Sequence, residues 1–343
     1  MSLVSKLAYV TEGIKVKKSV IFFVVAVLLS SFICPAFAAP SYTFRLSADA
    51  DEKNPYVMGA QKFADLVYEK TGGDIKIDIY PDAQLGGQRA AIEGLIFGTI
   101  DFSMSNTAVL GNFVPETAVF DLPFLFRDIP HAYHALDTVG MDIFKGLEPK
   151  GVKIVTCMEN GVRHLTNSVR PVTKPDDVKG LKIRVMEQPV YMEMIRSWGG
   201  SPTPMAFSEL FTALQQNVVD GQENPWGHIW TKRFFEVQKY ISETGHTYSP
   251  ELLAVSMKTW NRLPENYRKV VKECADQARD WERNLCREKE ADFRNKVIAT
   301  GKSKVILAKD VDRKAFAEAS RPVWKKFEDK VGKDNIDKIL AVQ

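Results

Sequence analysis

One stretch near the start of the chain decides the fold class, and it consists of YTFRLSA at 42–48, PYVMGAQKFADLVYEKTGG at 55–73 and DIKIDIY at 74–80. The last segment alternates polar and apolar residues, with its isoleucines on one face, so it predicts a β-strand like the first. The middle segment begins with Pro55 and repeats its apolar residues at helical spacing, so it predicts an amphipathic helix. A strand, a helix and a second strand in this order indicate an α/β fold.

The same alternation continues along the chain. A helix is predicted at 87–98 (GQRAAIEGLIFG) before a short strand (IDFSM), and further strands are predicted at 151–157 and 181–185. Connections of these lengths favour mostly parallel sheets.

A weak internal repeat indicates two similar halves. The patterns L-x-x-G-x-x-D at 95–101 and L-x-x-N-x-x-D at 214–220 each close a predicted helix and enter a predicted strand. Each pattern is followed by a polar residue, Asn106 in the first case and Asn224 in the second. Coincidence is the alternative explanation, because residues that end helices are common.

The segment 265–300 predicts one long helix, because it contains no Gly or Pro and carries an apolar stripe. Its length suits a helix that bridges two domains, although an amphipathic helix packed on one sheet is the alternative. Cys274 and Cys286 lie on this helix at a separation of about 18 Å, which is too far for a disulfide bond. We therefore expect the cysteines to fill the core.

Residues 1–38 predict a cleavable signal peptide. Three lysines at 15–18 precede an uncharged run at 19–33, and Ala36-Phe37-Ala38 forms a small-x-small cleavage site, so cleavage is expected after Ala38. The uncharged run is shorter than the roughly 20 residues that a spanning helix needs. The exported protein, expected in the periplasm, is neutral, because these 38 residues hold four lysines and one glutamate of a chain with net charge +3.

The sequence contains no motif that points to catalysis or to a cofactor. It has no GxGxxG, P-loop, GxSxG or HExxH pattern, and His131-x-x-His134 lacks a nearby carboxylate or cysteine to complete a metal site. The slight net charge argues against a nucleic-acid partner. We predict no catalytic residues, no metal and no cofactor.

Two arginines are candidate binding residues. Arg184 lies in a predicted strand on the face opposite Ile183, and Arg163 follows Glu159-Asn160-Gly161. Spacing alone favours two solvent-facing cations. The segment 199–226, however, is rich in Pro, Gly and aromatic residues, and rigid loops beside an arginine-bearing strand suit a site that holds an anion.

Six segments, taken in order, resemble the solute-binding proteins of TRAP transporters. They are LGGQRAAIEGLIFGTIDF at 85–102, DLPFLF at 121–126, ENGVRHLTNS at 159–168, GLKIRV at 180–185, PTPMAFSELFTALQQNVVDGQENP at 202–225 and FFEVQKYI at 234–241. The resemblance implies a monomeric periplasmic receptor that captures a small organic acid by hinge closure. It also implies delivery of that acid to the membrane permease subunits of a sodium-coupled transporter.

The fold that this resemblance implies is a two-lobed α/β binding protein with an inter-lobe cleft and a long bridging helix. By the family pattern, lobe I takes 39–160 and 250–289, and lobe II takes 161–249 and 290–343.

The resemblance also implies the ligand-binding residues. Arg184 matches the arginine that pairs with the ligand carboxylate through a bidentate fork that Lys cannot form. Asp49 stands where some members have Asn, and a carboxylate there favours a hydroxylated or amino-bearing monoacid. The other expected contacts are a second arginine, an amide, an aromatic, a first-lobe polar residue and a tryptophan that could equally pack in the core: Arg163, Asn224, Phe207, Asn106 and Trp226.

Two other functions stay open at this point. The binding protein of an ATP-driven importer can share the architecture, and an exported enzyme could use the same cleft if it had a nucleophile and a base. C4-dicarboxylates, sugar acids, 2-oxo acids and aromatic acids all fit one carboxylate on Arg184.

Overall fold

The computed structural model describes residues 39–343, so the predicted signal peptide at 1–38 lies outside the described residues. Within this range the β-strands are β1 Tyr42–Ser47, β2 Ile75–Tyr80, β3 Phe102–Asn106, β4 Val152–Val162, β5 His164–Asn167, β6 Lys182–Val185, β7 Ser201–Pro204, β8 Gly221–Asn224, β9 Tyr240–Ser242, β10 Tyr248–Ser256 and β11 Lys304–Ile306. The α-helices are α1 Pro55–Lys70, α2 Gln88–Phe97, α3 Thr107–Leu110, α4 Ile129–Ala135, α5 Met141–Phe144, α6 Pro189–Ser197, α7 Leu210–Gln215, α8 Trp226–Thr231, α9 Met257–Arg262, α10 Glu265–Thr300, α11 Arg313–Val331 and α12 Lys333–Ala341.

The predicted βαβ unit forms as expected from local sequence. Helix α1 begins at Pro55, and the side chain of Asn54 caps it by accepting a hydrogen bond from the backbone N–H of Tyr56. β1 and β2 pair in parallel from Tyr42 opposite Ile75 onward. The interpretation of this stretch as strand, helix and strand is confirmed.

The internal repeat corresponds to two equivalent turns. Gly98 ends α2 with φ of 74°, and Asn217, just after α7, has φ of 56°, so both residues adopt the left-handed conformation that suits Gly and Asn at helix ends. The strands that follow, β3 and β8, end at Asn106 and Asn224 in two different sheets. The repeat therefore places one amide at the same end of the corresponding strand in each half.

The first sheet has the strand order β2-β1-β3-β10-β4, and the second has the order β11-β9-β5-β8-β6-β7. We call the halves built on them the first and the second lobe. β1 pairs in parallel with β2 and β3, and β6 pairs in parallel with β7 and β8. This two-lobed α/β architecture confirms the predicted fold class.

The sheets are mixed, which differs from the expectation of mostly parallel sheets. β10 runs antiparallel to β3 and β4, and β5 runs antiparallel to β8 and β9. Each of these two strands enters its sheet directly from the other sheet, without the helical connection that a parallel neighbour requires. The crossings between the lobes therefore reverse the strand direction.

Arg163 lies at one of these crossings. It is the single residue that separates β4 of the first sheet from β5 of the second, and residues 243–247 lead back from β9 to β10. The backbone N–H of Arg163 donates a hydrogen bond of 2.9 Å to the carbonyl oxygen of Thr247. The two crossing segments are thus bonded to each other.

Helix α10 is the third connection, and it packs on both lobes. Val271 and Ala278 belong to the core between α1 and the first sheet, whereas Phe293 and Val297 pack with Ile229 of α8. The predicted bridging helix is confirmed.

Two further predictions concern the cysteines and the boundaries of the lobes. Cys157, Cys274 and Cys286 are buried free thiols, as predicted for core residues. The lobe boundaries expected from the family pattern, 39–160 with 250–289 and 161–249 with 290–343, stay a prediction.

No helix described between residues 39 and 343 is long and apolar enough to cross a membrane.

The close approach of α1 to α10 generates a stability prediction. A Cβ at Gly59 would lie 2.6 Å from Cγ of the buried Glu282 and 2.8 Å from Sδ of Met158. Gly59→Ala should therefore lower the free energy of unfolding by about 1–3 kcal/mol through overpacking, although Ala is the better helix former. Urea denaturation checks this, with exposed Gln61→Ala as the control in the same helix. A variant as stable as the wild type would contradict the prediction.

Candidate functional site

A cavity of about 290 Å³ lies between the two lobes. Its first-lobe wall consists of residues after β1, at the start of α2 and at the end of β3, and its second-lobe wall comes from β6, β8, α8 and the segment 205–208. The polar residues that line it are Asp49, Gln88, Arg89, Glu93, Asn106, Asn160, Arg163, Arg184, Glu187, Ser208, Asn224 and His228. A small, partly polar cavity between domains is typical of a site for a small molecule.

Most residues expected from sequence line this cavity. The structure brings together Asp49, Asn106, Arg163, Arg184, Phe207 and Asn224. Trp226 does not line the cavity, because its side chain packs into a core cluster of α8 and α10 and lies against the ring of His164. Of the two roles considered for Trp226, the structure shows core packing.

Arg163 is paired within the protein. Its Nη2 donates to Oε1 of Glu223 at 2.8 Å and to Oδ1 of Asn224 at 3.0 Å, and its Nε donates to Oε2 of Glu223. Both charged side chains are almost completely buried, at 1% and 0% exposure. Burial alone would raise the pKa of Glu223, but the charge of Arg163 and a hydrogen bond from His246 lower it below its usual value. The pair is therefore ionised and carries no net charge.

Arg184 has no such partner among the described residues. Its Nε and Nη2 donate to the carbonyl oxygen of Met205 at 3.0 and 2.7 Å, while its buried Nη1 has no hydrogen-bond partner. Burial lowers the pKa of Arg184 to about 10, so the side chain stays charged at neutral pH. The guanidinium carbon lies 5.9 Å from the centre of the Phe207 ring. A buried cation without a counter-charge favours an anion in the cavity.

Asp49 and Gln88 organise the opposite wall. Oδ1 of Asp49 accepts a hydrogen bond from the Tyr56 hydroxyl at 2.8 Å, and Oδ2 accepts one from Nε2 of Gln88 at 2.9 Å. The Oε1 atom of Gln88 in turn accepts a hydrogen bond from the backbone N–H of Asn106. Burial raises the pKa of Asp49 above its usual value. This wall therefore offers oxygen acceptors rather than a second buried cation.

The side chain of Asn106 is already engaged. Its Oδ1 caps helix α3 by accepting from the N–H of Ala108, and its Nδ2 donates to Oγ of Ser249 and to the carbonyl oxygen of Pro250. Asn106 thus shapes the wall by joining β3 to β10. Asn106 also lines the cavity, and its predicted polar contact with a ligand stays a prediction.

Three residues of the candidate site were not predicted from the sequence. Glu223 neutralises Arg163, Gln88 bridges two first-lobe residues, and His228 lines the cavity from α8. A signal for Glu223 existed, because residues 221–224 (GQEN) are polar and yet form a strand buried within the second sheet. His228 follows Asn224 by four residues, but no local pattern shows that its ring faces a cavity.

The predicted absence of a metal site rested on the histidine pair of α4. His131 and His134 each place a ring nitrogen 2.9 Å from a backbone carbonyl oxygen, of Ile339 and Gln343 respectively. Over residues 39–343, no group of three or more His, Cys, Asp or Glu side chains is arranged to hold a metal ion.

Three side chains, of Lys232, Asn112 and Asn54, make polar contacts between the lobes around the cavity. Nζ of Lys232 lies near the carboxylates of Asp82 and Asp51, and Nδ2 of Asn112 donates to the carbonyl oxygen of Glu187 at 2.7 Å. A contact of 3.3 Å joins Nδ2 of Asn54 to Nδ1 of His228. The walls of the cavity are therefore held together by contacts that can form only when the lobes meet.

Comparison with known proteins identifies close relatives of this chain. Residues 46–330 match the model of the bacterial extracellular solute-binding proteins, family 7. The chain is 37% identical to the 2,3-diketo-L-gulonate-binding periplasmic protein YiaO of Escherichia coli, over 85% of this chain and 88% of that protein.

Solved structures of TRAP periplasmic solute-binding proteins have the same fold. A protein from Polaromonas, bound to D-erythronate, superimposes with a TM-score of 0.85 at 39% identity, over 88% of this chain and 99% of that one. A protein from Sulfurospirillum deleyianum with bound succinate gives a TM-score of 0.84 at 30% identity, over 89% and 100% of the two chains.

The buried ion pair generates a prediction with a definite pH dependence. Glu223→Gln leaves Arg163 buried without a counter-charge, so the free energy of unfolding should fall by about 3–5 kcal/mol at pH 7. The pKa of Glu223 is lowered in the folded protein, so its contribution is complete above the unfolded pKa of about 4.5. This contribution is lost as the pH falls through the lowered pKa, and the difference between variant and wild type should shrink in acid.

Urea denaturation at pH 7 and at acidic pH measures this difference. Glu193→Gln is the control, because Glu193 forms surface ion pairs with Lys326 and Arg196, which are expected to contribute about 0–1 kcal/mol. A loss at pH 7 no larger than that of the control would show that the Arg163–Glu223 pair is not the stabilising contact described above.

Proposed function

The chain belongs to family 7 of the bacterial extracellular solute-binding proteins, and from this we propose that it is the receptor of a TRAP-type transporter that captures a small hydroxylated or keto monocarboxylate. In this proposal the mature protein begins at Ala39 after removal of the signal peptide and acts in the periplasm. It delivers its ligand to the membrane permease subunits of a sodium-coupled transporter.

The observation that carries this proposal is the state of Arg184. Its guanidinium is buried at the cavity, bonds only to a neutral carbonyl oxygen and keeps Nη1 without a partner. A ligand carboxylate would supply both the missing acceptor and the missing negative charge. Arg163 can add a donor, since its Nη1 takes part in no hydrogen bond between described residues, although its charge is cancelled by Glu223.

The buried charges of the cavity favour one carboxylate rather than two. Arg184 is the one buried cation among the lining residues that lacks a counter-charge, and Asp49 contributes a negative charge or none. Arg89 is exposed and lies 3.5 Å from Glu93, so it offers little to a buried anion. A second carboxylate on the ligand would be desolvated without a buried partner.

The remaining polar groups favour hydroxyl or keto oxygens on the ligand. Asp49 and Gln88 face the cavity from the first lobe, and Asn224 and His228 face it from the second. The volume of about 290 Å³ lies at the lower end of the range for small-molecule sites. A short-chain acid with several oxygens fits this combination of size and polarity. D-erythronate, which is bound in the Polaromonas relative, has this chemistry.

Binding is proposed to proceed by closure of the two lobes. Residues from both lobes line the cavity, so the complete set of contacts is available to the ligand only in the closed form. The inter-lobe contacts of Lys232 and Asn112 then add to the stability of that form. We expect stoichiometric binding without turnover, since the proposed role is that of a receptor.

Isothermal titration calorimetry with four compounds tests the ligand class. D-erythronate and 2,3-diketo-L-gulonate should bind to the protein comprising residues 39–343, and succinate should bind at least about tenfold more weakly, because its second carboxylate finds no buried cation. Erythritol, the polyol that lacks the carboxylate, is the matched control and should not bind. Equal affinity for succinate and D-erythronate, or binding of erythritol, would contradict the proposal, and so would chemical conversion of a bound acid.

Arg184→Met tests the residue that carries the proposal. Removing one partner of a buried charge pair costs about 3–5 kcal/mol, so affinity for D-erythronate should fall by about a hundredfold or more. The variant itself should fold, because Met can fill the apolar space without an unpaired charge. Arg196→Met is the control, since Arg196 is exposed on α6. An unchanged dissociation constant in Arg184→Met would remove Arg184 from the site.

A further inference from the structure

His228 is a buried histidine that neither the sequence argument nor the proposal above uses as a defined ligand contact. It lies on α8, lines the cavity and is 3% exposed. Its ring packs edge-on against Phe207 at 4.7 Å and against Tyr56 at 5.9 Å between ring centres. These contacts fix the plane of the ring at the cavity wall.

The contact with Asn54 determines which ring nitrogen of His228 carries the proton. The Oδ1 atom of Asn54 accepts from the backbone N–H of Tyr56 as the cap of α1, so its Nδ2 is the atom that faces Nδ1 of His228. An amide Nδ2 can only donate, and therefore Nδ1 must accept. In a neutral imidazole the proton is then on Nε2.

The imidazole of His228 is neutral. Burial lowers its pKa well below the usual value, and the positive charges of Arg163, Lys232 and Arg184 lower it further. The remaining side chains around the ring, Tyr56, Phe207 and Asn54, carry no charge. His228 is thus a neutral donor, not a third cation for the ligand.

The donor at Nε2 is left without a partner among residues 39–343. No hydrogen bond between described residues involves Nε2, although the ring lines the cavity. Asn54 belongs to the first lobe and His228 follows β8 of the second, so the contact that fixes the proton forms only when the lobes come together. Closure therefore both encloses the ligand and orients a donor toward it.

We propose that His228 is a ligand-binding residue whose Nε2–H donates a hydrogen bond to an oxygen of the bound acid, and that Asn54 is the positioning residue that holds this tautomer across the closed cleft. The inference rests on the proposed receptor function, because it concerns the same cavity. It adds a specificity rule: the acid must present an acceptor oxygen to a neutral donor whose tautomer Asn54 holds only after closure.

Two substitutions of His228 separate the Nε2 donor from the contact with Asn54. The longer amide of His228→Gln can reach the place of Nε2, whereas the shorter amide of His228→Asn reaches only the place of Nδ1. Calorimetry with D-erythronate should give an affinity within about threefold of wild type for His228→Gln. His228→Asn should lose about tenfold or more, because an enclosed ligand oxygen is left without a donor. His131→Gln is the control, because that buried histidine contacts Ile339 away from the cavity.

Asn54→Ser tests the positioning role. Serine caps a helix about as well as Asn, so the thermal unfolding midpoint should stay within about 2 °C of wild type, but its side chain is too short to reach His228. Long-range proton–nitrogen NMR correlation of the D-erythronate complex should show the Nε2–H form of His228 in the wild type and a mixture of both tautomers in Asn54→Ser. Affinity should fall severalfold in the variant.

The outcomes distinguish this inference from the proposed function. If the wild type binds D-erythronate but His228→Gln and His228→Asn lose affinity equally, or neither loses any, the donor role is overturned. An Nδ1–H form or an imidazolium in the wild-type complex also overturns it, while leaving the receptor function intact. If neither D-erythronate nor 2,3-diketo-L-gulonate binds to the wild type, the proposed ligand class fails and this inference fails with it.

Discussion

The ion pair between Arg163 and Glu223 is the constraint on which the rest of the site depends. Arg163 lies at the point where the chain leaves the first sheet, and its backbone is bonded to Thr247 on the returning segment. Its side chain reaches across to β8 and holds Glu223 and Asn224. Because two buried charges cannot be separated without a large desolvation cost, this pair ties the crossing to β8, one of the elements that form the second-lobe wall of the cavity.

The same pair determines which arginine is available to an anion. With Arg163 neutralised by Glu223, the uncompensated buried charge is that of Arg184. In the absence of an anion, closing the lobes would bury this charge at a cost, whereas a bound carboxylate offsets it. A ligand that interacts better with the closed form shifts the population toward it. In the proposed function, charge balance in the cavity thus couples ligand binding to closure, so that the closed form marks a loaded receptor.

The neutral polar side chains at the cavity are held in fixed orientations by hydrogen bonds within the protein. Asn106 and Asn54 each cap a helix with Oδ1 and use Nδ2 for a second contact, so neither amide can rotate freely. Gln88 is held between Asp49 and the backbone of Asn106. Groups whose orientation is already set lose little freedom when a ligand binds, which favours both affinity and selectivity. The helix caps that define the local fold therefore also hold groups of the cavity wall in place.

The amino-acid sequence by itself determined the structural features that depend on residues close to one another along the chain. The α/β class, helix α1 with its start at Pro55, the turns at Gly98 and Asn217 and the uninterrupted helix α10 follow from periodicity and from residues that start or end helices. Arg184 could be singled out by its strand and by resemblance, but its lack of a counter-charge could not. The pairing of Arg163 with Glu223 and of Asn54 with His228 joins residues 60 and 174 positions apart. Only the tertiary structure decides such pairs, because burial and distance, which set the charge and the tautomer of each group, arise from the packing of the two lobes and not from any local pattern.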